Sequence, residues 1–413
     1  MSLEFFRLKT REEVLALFSR FKPVGVEDLA LGEAMGRVVA RSIAAQEDVP
    51  AFLRASMDGY AVRAGDTFGA TPGLPQYLEI RGSVLMGKVP VGVVGPGEAW
   101  RLPTGGMLPQ GADAVVMVEY THEMPDGTLE VRRPVAPGEN LMHPGEDVRA
   151  QEPLFSAGRR LRSQDIGLLA ALGAARVRVY QRPRVAVLSS GDEIVPITQN
   201  PPPGKVRDAN ALLVAAQVAA GGGLPQLKGI VPDDQDALYA LLSQSLEDAD
   251  LVLISGGSSV GARDLTLEAI KDLPGADILV HGVAIRPGKP TILADIGGKP
   301  LMGLPGHPAS AAVVMQVLGL PLLQRLAGLG EKPSWGGTVQ GRLSRNLAGA
   351  SGREDFVRVQ LRQDQDNTLW ADPVLGPSGL LSPLVKSDGL VIIPLGVEGF
   401  FREDPVTVHL FSE

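Results

Sequence analysis

Leu251-Val-Leu-Ile-Ser-Gly-Gly-Ser-Ser-Val-Gly-Ala-Arg-Asp264 is the stretch on which the reading of this chain turns. Leu251 to Ile254 is a short apolar run of the kind that forms a strand buried on both faces. Ser255 to Gly261 then removes bulk where the strand must stop. Asp264 is placed to cap a helix whose apolar face would be Leu265, Leu267, Ala269 and Ile270. A strand, a small-residue loop and a helix start make an anion cradle, because free backbone N–H groups and the helix dipole favour negative charge.

The same alternation extends outward over 183–327. Arg184 to Leu188 reads as a strand, Asn210 to Ala219 as a helix stopped by Gly221 to Gly223, and Gln226 to Val231 as a strand. Asp234 to Leu246 reads as a helix capped by Asp233. Thr291 to Ala294 and Pro300 to Gly303 read as strands, and Pro308 to about Leu326 as a helix. Alternation of this kind predicts βαβ units, a parallel sheet and helices on both faces.

The flanks differ. Thr10-Arg-Glu-Glu13 is a capping box ahead of Val14, Leu15, Leu17 and Phe18. From about 51 to 140, short β-like pieces separated by Gly and Pro replace helical periodicity: Tyr77 to Ile80, Ala114 to Glu119 and Thr128 to Val131. Ser163 is set as the N-cap of a helix with Ile166, Leu168, Leu169 and Leu172 on one face. Residues 331–413 return to β, with Thr338 to Leu343, Asp355 to Leu361, Leu390 to Pro394 and Val406 to Phe411, and predict a small barrel or sandwich.

Composition narrows the chemistry. At 413 residues the chain is too long for one ordinary core and predicts two to four domains. The net charge of −8 argues against a general nucleic-acid binder. The start lacks the pattern of a signal peptide and no run of about 18 apolar residues stands out, so a soluble cytoplasmic enzyme off the membrane is expected. The chain has no cysteine, which removes disulfides, thiolate metal sites and cysteine nucleophiles together. The five histidines, His122, His143, His281, His307 and His409, show no metal-ligand spacing, so a hard cation on oxygen ligands is the expected metal.

In a parallel sheet the ligand crevice lies beyond the carboxyl ends of the strands. Three loops there are unusual: Ser189-Ser-Gly-Asp-Glu193, the opening Ser-Gly-Gly loop with Asp264, and Gly303-Leu-Pro-Gly-His-Pro308. Asp233 adds an acidic position, and Arg286-Pro-Gly-Lys-Pro290 puts two cations on a stiff loop. Taken singly, Asp233 and Asp264 read more simply as helix caps, Asp192 and Glu193 as a solvated turn, and Ser56-Met-Asp-Gly-Tyr-Ala61 and Pro103-Thr-Gly-Gly-Met-Leu-Pro109 as connecting loops. Arg353 and Ser378 read as surface residues. Carboxylates, small-residue loops and cations converging on one rim suit a Mg²⁺–phosphate ligand. No Gly-x-Gly-x-x-Gly follows a strand. Gly82 to Val89 is spaced like a P-loop but has Val89 where a hydroxyl must meet Mg²⁺.

In their order along the whole chain, the motifs resemble those of molybdopterin molybdenumtransferases, the MoeA-like enzymes related to the E domain of gephyrin. They are Ser56-Met-Asp-Gly-Tyr-Ala-Val62, Pro103-Thr-Gly, Gly145-Glu-Asp147, Ser190-Gly-Asp-Glu193, Asp233-Asp234, Ser255-Gly-Gly-Ser-Ser-Val-Gly with Asp264, Pro287-Gly-Lys-Pro290 and Gly303-Leu-Pro-Gly-His-Pro308. The resemblance implies a multidomain α/β architecture: an N-terminal helix, 1–25, joining a three-layer molybdopterin-binding domain at 177–329. It further implies a linking domain at 26–49 and 141–176, a β-rich insertion at 50–140 and a C-terminal β-barrel at 330–413.

It also implies a homodimer that inserts molybdate into adenylylated molybdopterin, with Mg²⁺ and release of AMP, among other cofactor-pathway proteins such as molybdopterin adenylyltransferase. Asp58, Thr104 and Asp147 of one subunit would face Glu193, Asp233 and Asp264 of the other. Asp192, Glu193 and Asp264 would stand near the metal. The ligand would lie against Ser190, Gly191, Ser255, Gly256, Gly257, Ser258, Gly261, Arg286, Lys289, Pro305, Pro308, Arg353 and Ser378. The chain departs from the family in His307, where Asn is more usual, in Leu53-Arg-Ala before Ser56, and in Asn140-Leu-Met-His143, which lacks arginines. Molybdopterin adenylyltransferase activity, or a scaffold that binds the cofactor without chemistry, would share the central fold.

Overall fold

A computed structural model describes residues 8–256, 260–330 and 336–411, with the side chains of 260–264 excluded. The chain forms two compact units. One comprises Met1–Arg41, Ala157–Ser163 and Arg176–Glu413; the other comprises Ser42–Ser156 and Gln164–Ala175.

The first unit is built on a six-stranded sheet in the order Leu224–Val231, Arg184–Ser190, Leu251–Gly256, Lys299–Pro305, Ile292–Ile296, Ala276–His281. Along Leu251–Gly256 the side chains alternate between two cores. Leu251 and Leu253 pack with Val14, Phe18, Phe21, Val214 and Val218 on one face. Val252 and Ile254 pack with Leu238, Leu242, Leu267 and Ile270 on the other. An all-apolar strand suits this because each face meets a helical layer. The N-terminal helix Arg11–Leu17 has both arms of its capping box in place, and Val14 and the following Phe18 anchor it in the first core.

Two expectations need correction. The sheet is mixed: four adjacent strands pair in parallel, but Ile292–Ile296 runs antiparallel to both its neighbours, Lys299–Pro305 and Ala276–His281, and is the one reversed strand of the six. Gly297 and Gly298, both at positive φ, form the link between Ile292–Ile296 and Lys299–Pro305. A two-residue link of this kind closes a hairpin and cannot make a parallel crossover. The long helix is also interrupted. Pro308–Val314 and Leu320–Leu326 flank a π-helical turn, Met315–Gly319, because Pro321 has no N–H to give and its ring crowds the preceding turn. Contrary to the expectation that no such run stands out, this 19-residue span is long and apolar enough to cross a membrane, its 18-residue window having a mean hydropathy of 1.4. Of that window 89% is buried inside the protein, where the span serves as a core helix.

Still in the first unit, five strands close into a barrel: Glu354–Gln363, Leu369–Pro373, Thr338–Leu343, Pro405–Leu410 and Gly389–Ile393, which returns to Glu354–Gln363. Leu369–Pro373 was not anticipated. Ile285–Arg286 pairs with Glu354 and Asp355 and ties the cationic loop to the barrel wall. The second unit holds another six-stranded sheet, ordered Ala114–Met117, Gly59–Val62, Glu98–Leu102, Gln76–Ser83, Thr128–Val131, Thr121–Glu123, over a core that includes Val62, Leu78, Val116 and Leu129. The helix Ser163–Ala171 takes Ser163 as its first residue, one position inside the expected cap.

Candidate functional site

At the carboxyl ends of the parallel strands the backbone itself is crowded. A Cβ at Gly256 would stand 2.3 Å from the Ser190 carbonyl oxygen, so only glycine lets Leu251–Gly256 finish beside Arg184–Ser190. The Ser189 and Ser255 hydroxyls meet at 3.3 Å across the same pair. The next hydroxyl, Ser190, is 1% exposed and donates to Asp233 Oδ1 at 2.9 Å. Asp192 Oδ1 accepts the Asp233 N–H at 3.3 Å. Ser190, Asp192 and Asp233 are thereby joined.

The expected cap at Asp233 is corrected by its neighbour. Asp234 is the N-cap of Gln235–Asp248 and accepts the Ala237 N–H at 2.9 Å. One carboxylate is spent on the helix, which leaves the other for Ser190.

Two cavities open on this rim and share Gly256, Gly306 and His307 in their walls. The first, of about 300 Å³, is lined by Arg286, Lys289, Pro305, Ser310, Arg353 and Ser378, among others. Its cations differ in their commitments. Arg286 donates to Asp355 Oδ2 at 2.6 Å; that carboxylate is 1% exposed and also accepts the Ala350 N–H at 2.7 Å. Lys289 and the half-buried Arg353 have no carboxylate partner among the described residues. His307 precedes the helix Pro308–Val314, and its Nδ1 lies 3.0 Å from Ser378 Oγ, which joins the central domain to the barrel across the cavity.

The second cavity, of about 390 Å³, is lined by Ser190, Glu193, Asp208, Asn210, Ser255 and Pro308, among others. Asn210 and Asp208 were not anticipated. Asn210 Nδ2 donates to the Gly306 carbonyl at 2.8 Å, while its buried Oδ1 has no partner among the described residues. Asp208 accepts the Ala211 N–H at 3.0 Å at the start of Asn210–Ala220. An acid two residues before a helical Asn is the signal that could have found them. Gly257, Ser258, Gly261 and Asp264 lie outside the residues, or the side chains, that are described.

In the other unit, Asp58 and Thr104 come together because Gly59 stands opposite Leu102 in the antiparallel pair Gly59–Val62 and Glu98–Leu102. The exposed Asp58 carboxylate accepts the Thr104 N–H at 2.7 Å, and this backbone donor holds its pKa below the ordinary aspartate value. Asp147 is exposed in the loop where its N–H donates to the Val49 carbonyl.

Family profiles match three successive segments: "MoeA N-terminal region (domain I and II)" over 9–173, "Probable molybdopterin binding domain" over 186–325 and "MoeA C-terminal region (domain IV)" over 340–411. A molybdopterin molybdenumtransferase of Bacillus subtilis is 32% identical over 97% of this chain and 94% of its own length. One from Nostoc is 34% identical over 90% and 85%. The crystal structure of a molybdopterin biosynthesis MoeA protein from Pyrococcus horikoshii is similar over 98% of this chain and all of its own, with a TM-score of 0.82 and 37% identity. With three profiles spanning most of its length, full-length relatives above 30% identity and a shared fold, this chain belongs to the MoeA family of molybdenum cofactor biosynthesis.

Proposed function

We propose that the protein is a molybdopterin molybdenumtransferase that takes adenylylated molybdopterin and molybdate and yields molybdenum cofactor with release of AMP. The observation that carries this reading is the cavity holding Lys289 and Arg353 without carboxylate partners among the described residues, beside the Ser310 and Ser378 hydroxyls. Molybdate is a dianion, and two uncommitted cations with hydroxyl donors offer what a tetrahedral oxyanion needs. Arg286, already held by Asp355, serves better to position the loop that carries Lys289 than to bind the anion.

The neighbouring cavity, with Glu193, Asn210 and Ser190, would take the adenylylated pterin. The dithiolene sulfurs belong to that ligand, so a chain without cysteine can handle the metal. Among the described residues no cluster of three acidic or histidine side chains forms a ready-made metal cage. Mg²⁺ fits such a site because it is commonly held by one or two carboxylates plus substrate phosphates. Asp192 and Glu193, with Asp264, would hold it. Bound there, Mg²⁺ would offset the charge of the pyrophosphate link. Asp233, fixed by the Ser190 hydroxyl, orients the acidic rim. Asp58, Thr104 and Asp147 complete the set if the protein is a homodimer whose cleft draws on two subunits, as the resemblance implies.

The test mixes purified protein with adenylylated molybdopterin, Mg²⁺ and molybdate and follows AMP. Molybdate-dependent AMP release is expected. Binding of the nucleotide without any such release would favour a carrier scaffold and defeat the proposal.

A further inference from the structure

Arg160 lies in a short segment whose backbone bridges Val38, while the adjacent Leu161 N–H donates to the Arg37 carbonyl. This pairing brings Arg37 and Arg160 to one surface. Arg182, just ahead of the strand Arg184–Ser190, donates to the Gly222 and Gly223 carbonyls at 2.9 Å each, in the turn that closes the helix Asn210–Ala220. Gly222 in turn lies against the Arg160 guanidinium. Three arginines thus border one cavity of about 330 Å³, together with Tyr180 and Gln181.

Their charges are not equally answered. Arg37 pairs with Glu27 and donates to the Tyr180 carbonyl at 2.7 Å. Arg182 is satisfied by carbonyls and has no carboxylate partner among the described residues. Arg160 is half-buried and has no hydrogen-bond or ion-pair partner among the described residues; burial alone pushes its pKa down from the ordinary arginine value. Glu33, exposed, is the one carboxylate in the described lining. A guanidinium remains charged in a protein, so partial burial without a counter-ion costs solvation energy that an incoming anion would return.

The cavity is separate from the candidate active site. Arg182 and Gly222 stand at the amino ends of the parallel strands, whereas the other two cavities lie at their carboxyl ends. A strand the length of Arg184–Ser190 spans about 20 Å. We propose that this cavity is a second anion site, in which Arg160 and Arg182 bind a phosphate group. Inorganic phosphate and a phosphate monoester share the chemistry, and the volume leaves room for the larger of the two.

Full-length wild type and Arg160→Met are compared by thermal melting and calorimetric titration at constant ionic strength, with inorganic phosphate, glycerol 3-phosphate and citrate as probes. Phosphate is expected to raise the wild-type Tm and to bind Arg160→Met about tenfold more weakly, a difference of about 1.4 kcal/mol. Subtracting the response of the variant removes any contribution from Lys289 and Arg353. A tighter Kd for glycerol 3-phosphate than for phosphate assigns an ester ligand, and equal values assign the free anion. Equal responses of wild type and variant, or a preference for citrate, would overturn the proposal. Should Arg160→Met fail to fold, crystals of wild type soaked in selenate give the same decision: anomalous density beside Arg160 supports the site, and density at Lys289 and Arg353 alone refutes it.

Discussion

Asp58 and His409 show how single residues set the pH behaviour. The backbone N–H of Thr104 lowers the Asp58 pKa, so the carboxylate stays ionised throughout the neutral range and its contribution disappears only as pH falls through its folded value. Asp58→Asn is therefore expected to depress AMP release at every pH from 6 to 8 by a similar factor, roughly 10²–10³ if the charge acts in catalysis, with little change in urea midpoint. A factor that changes tenfold across that range would contradict an already ionised Asp58. His409 is pushed down from 6.5, first by burial and then by Arg11, with Glu354 opposing. Its unfolded form takes a proton that the folded form resists. Stability is full above the unfolded value, falls as pH drops below about 6.5 and levels off beneath the folded value. Urea midpoints of wild type and His409→Gln between pH 5 and 8 are expected to converge in slope only above that point; parallel curves throughout would sink the assignment. The sequence placed Asp58 in a recognisable motif, but nothing local marked His409, whose environment comes from a helix at the other end of the chain.

Among the elements, the N-terminal helix is the clearest case of local sequence and tertiary packing agreeing. Thr10 Oγ1 accepts the Glu13 N–H at 3.1 Å, and Glu13 accepts the Thr10 N–H at 2.7 Å. Val14 and Phe18 then enter the core. Thr10→Ala is expected to lower stability by about 1 kcal/mol, read as the urea midpoint at unchanged m-value, without altering AMP release. A loss of AMP release at full stability would mean that the helix does more than brace the fold. The hairpin at Gly297-Gly298 was equally legible, since a two-glycine link between apolar runs is a hairpin signal. It was misread because the βαβ pattern before it was carried one strand too far. The π-helical turn at Met315–Gly319 was not legible: Pro321 forbids a regular helix, but only the surrounding core decides whether the chain breaks or bulges.

Across the whole molecule, the proposed homodimer makes a quantitative prediction. If each cleft takes Asp58 from one subunit and Glu193 from the other, refolding equal amounts of Asp58→Asn and Glu193→Gln together should restore about a quarter of wild-type AMP release, since half the dimers are mixed and each mixed dimer has one intact cleft. Recovery no greater than the sum of the separate mutants would show that both residues serve the same subunit. Local patterns in the sequence determined the α/β alternation, the β-rich flanks, the capping box and the order of motifs, because periodicity, turn chemistry and capping act over a few residues. Tertiary structure alone decided which of two adjacent aspartates caps a helix and which meets Ser190, and that Arg286 is answered by Asp355 from 69 residues away. It alone left Lys289, Arg353 and Arg160 without described counter-charges. The reason is physical: the state of a charge depends on distances through space and on burial, and no spacing along the chain reports either.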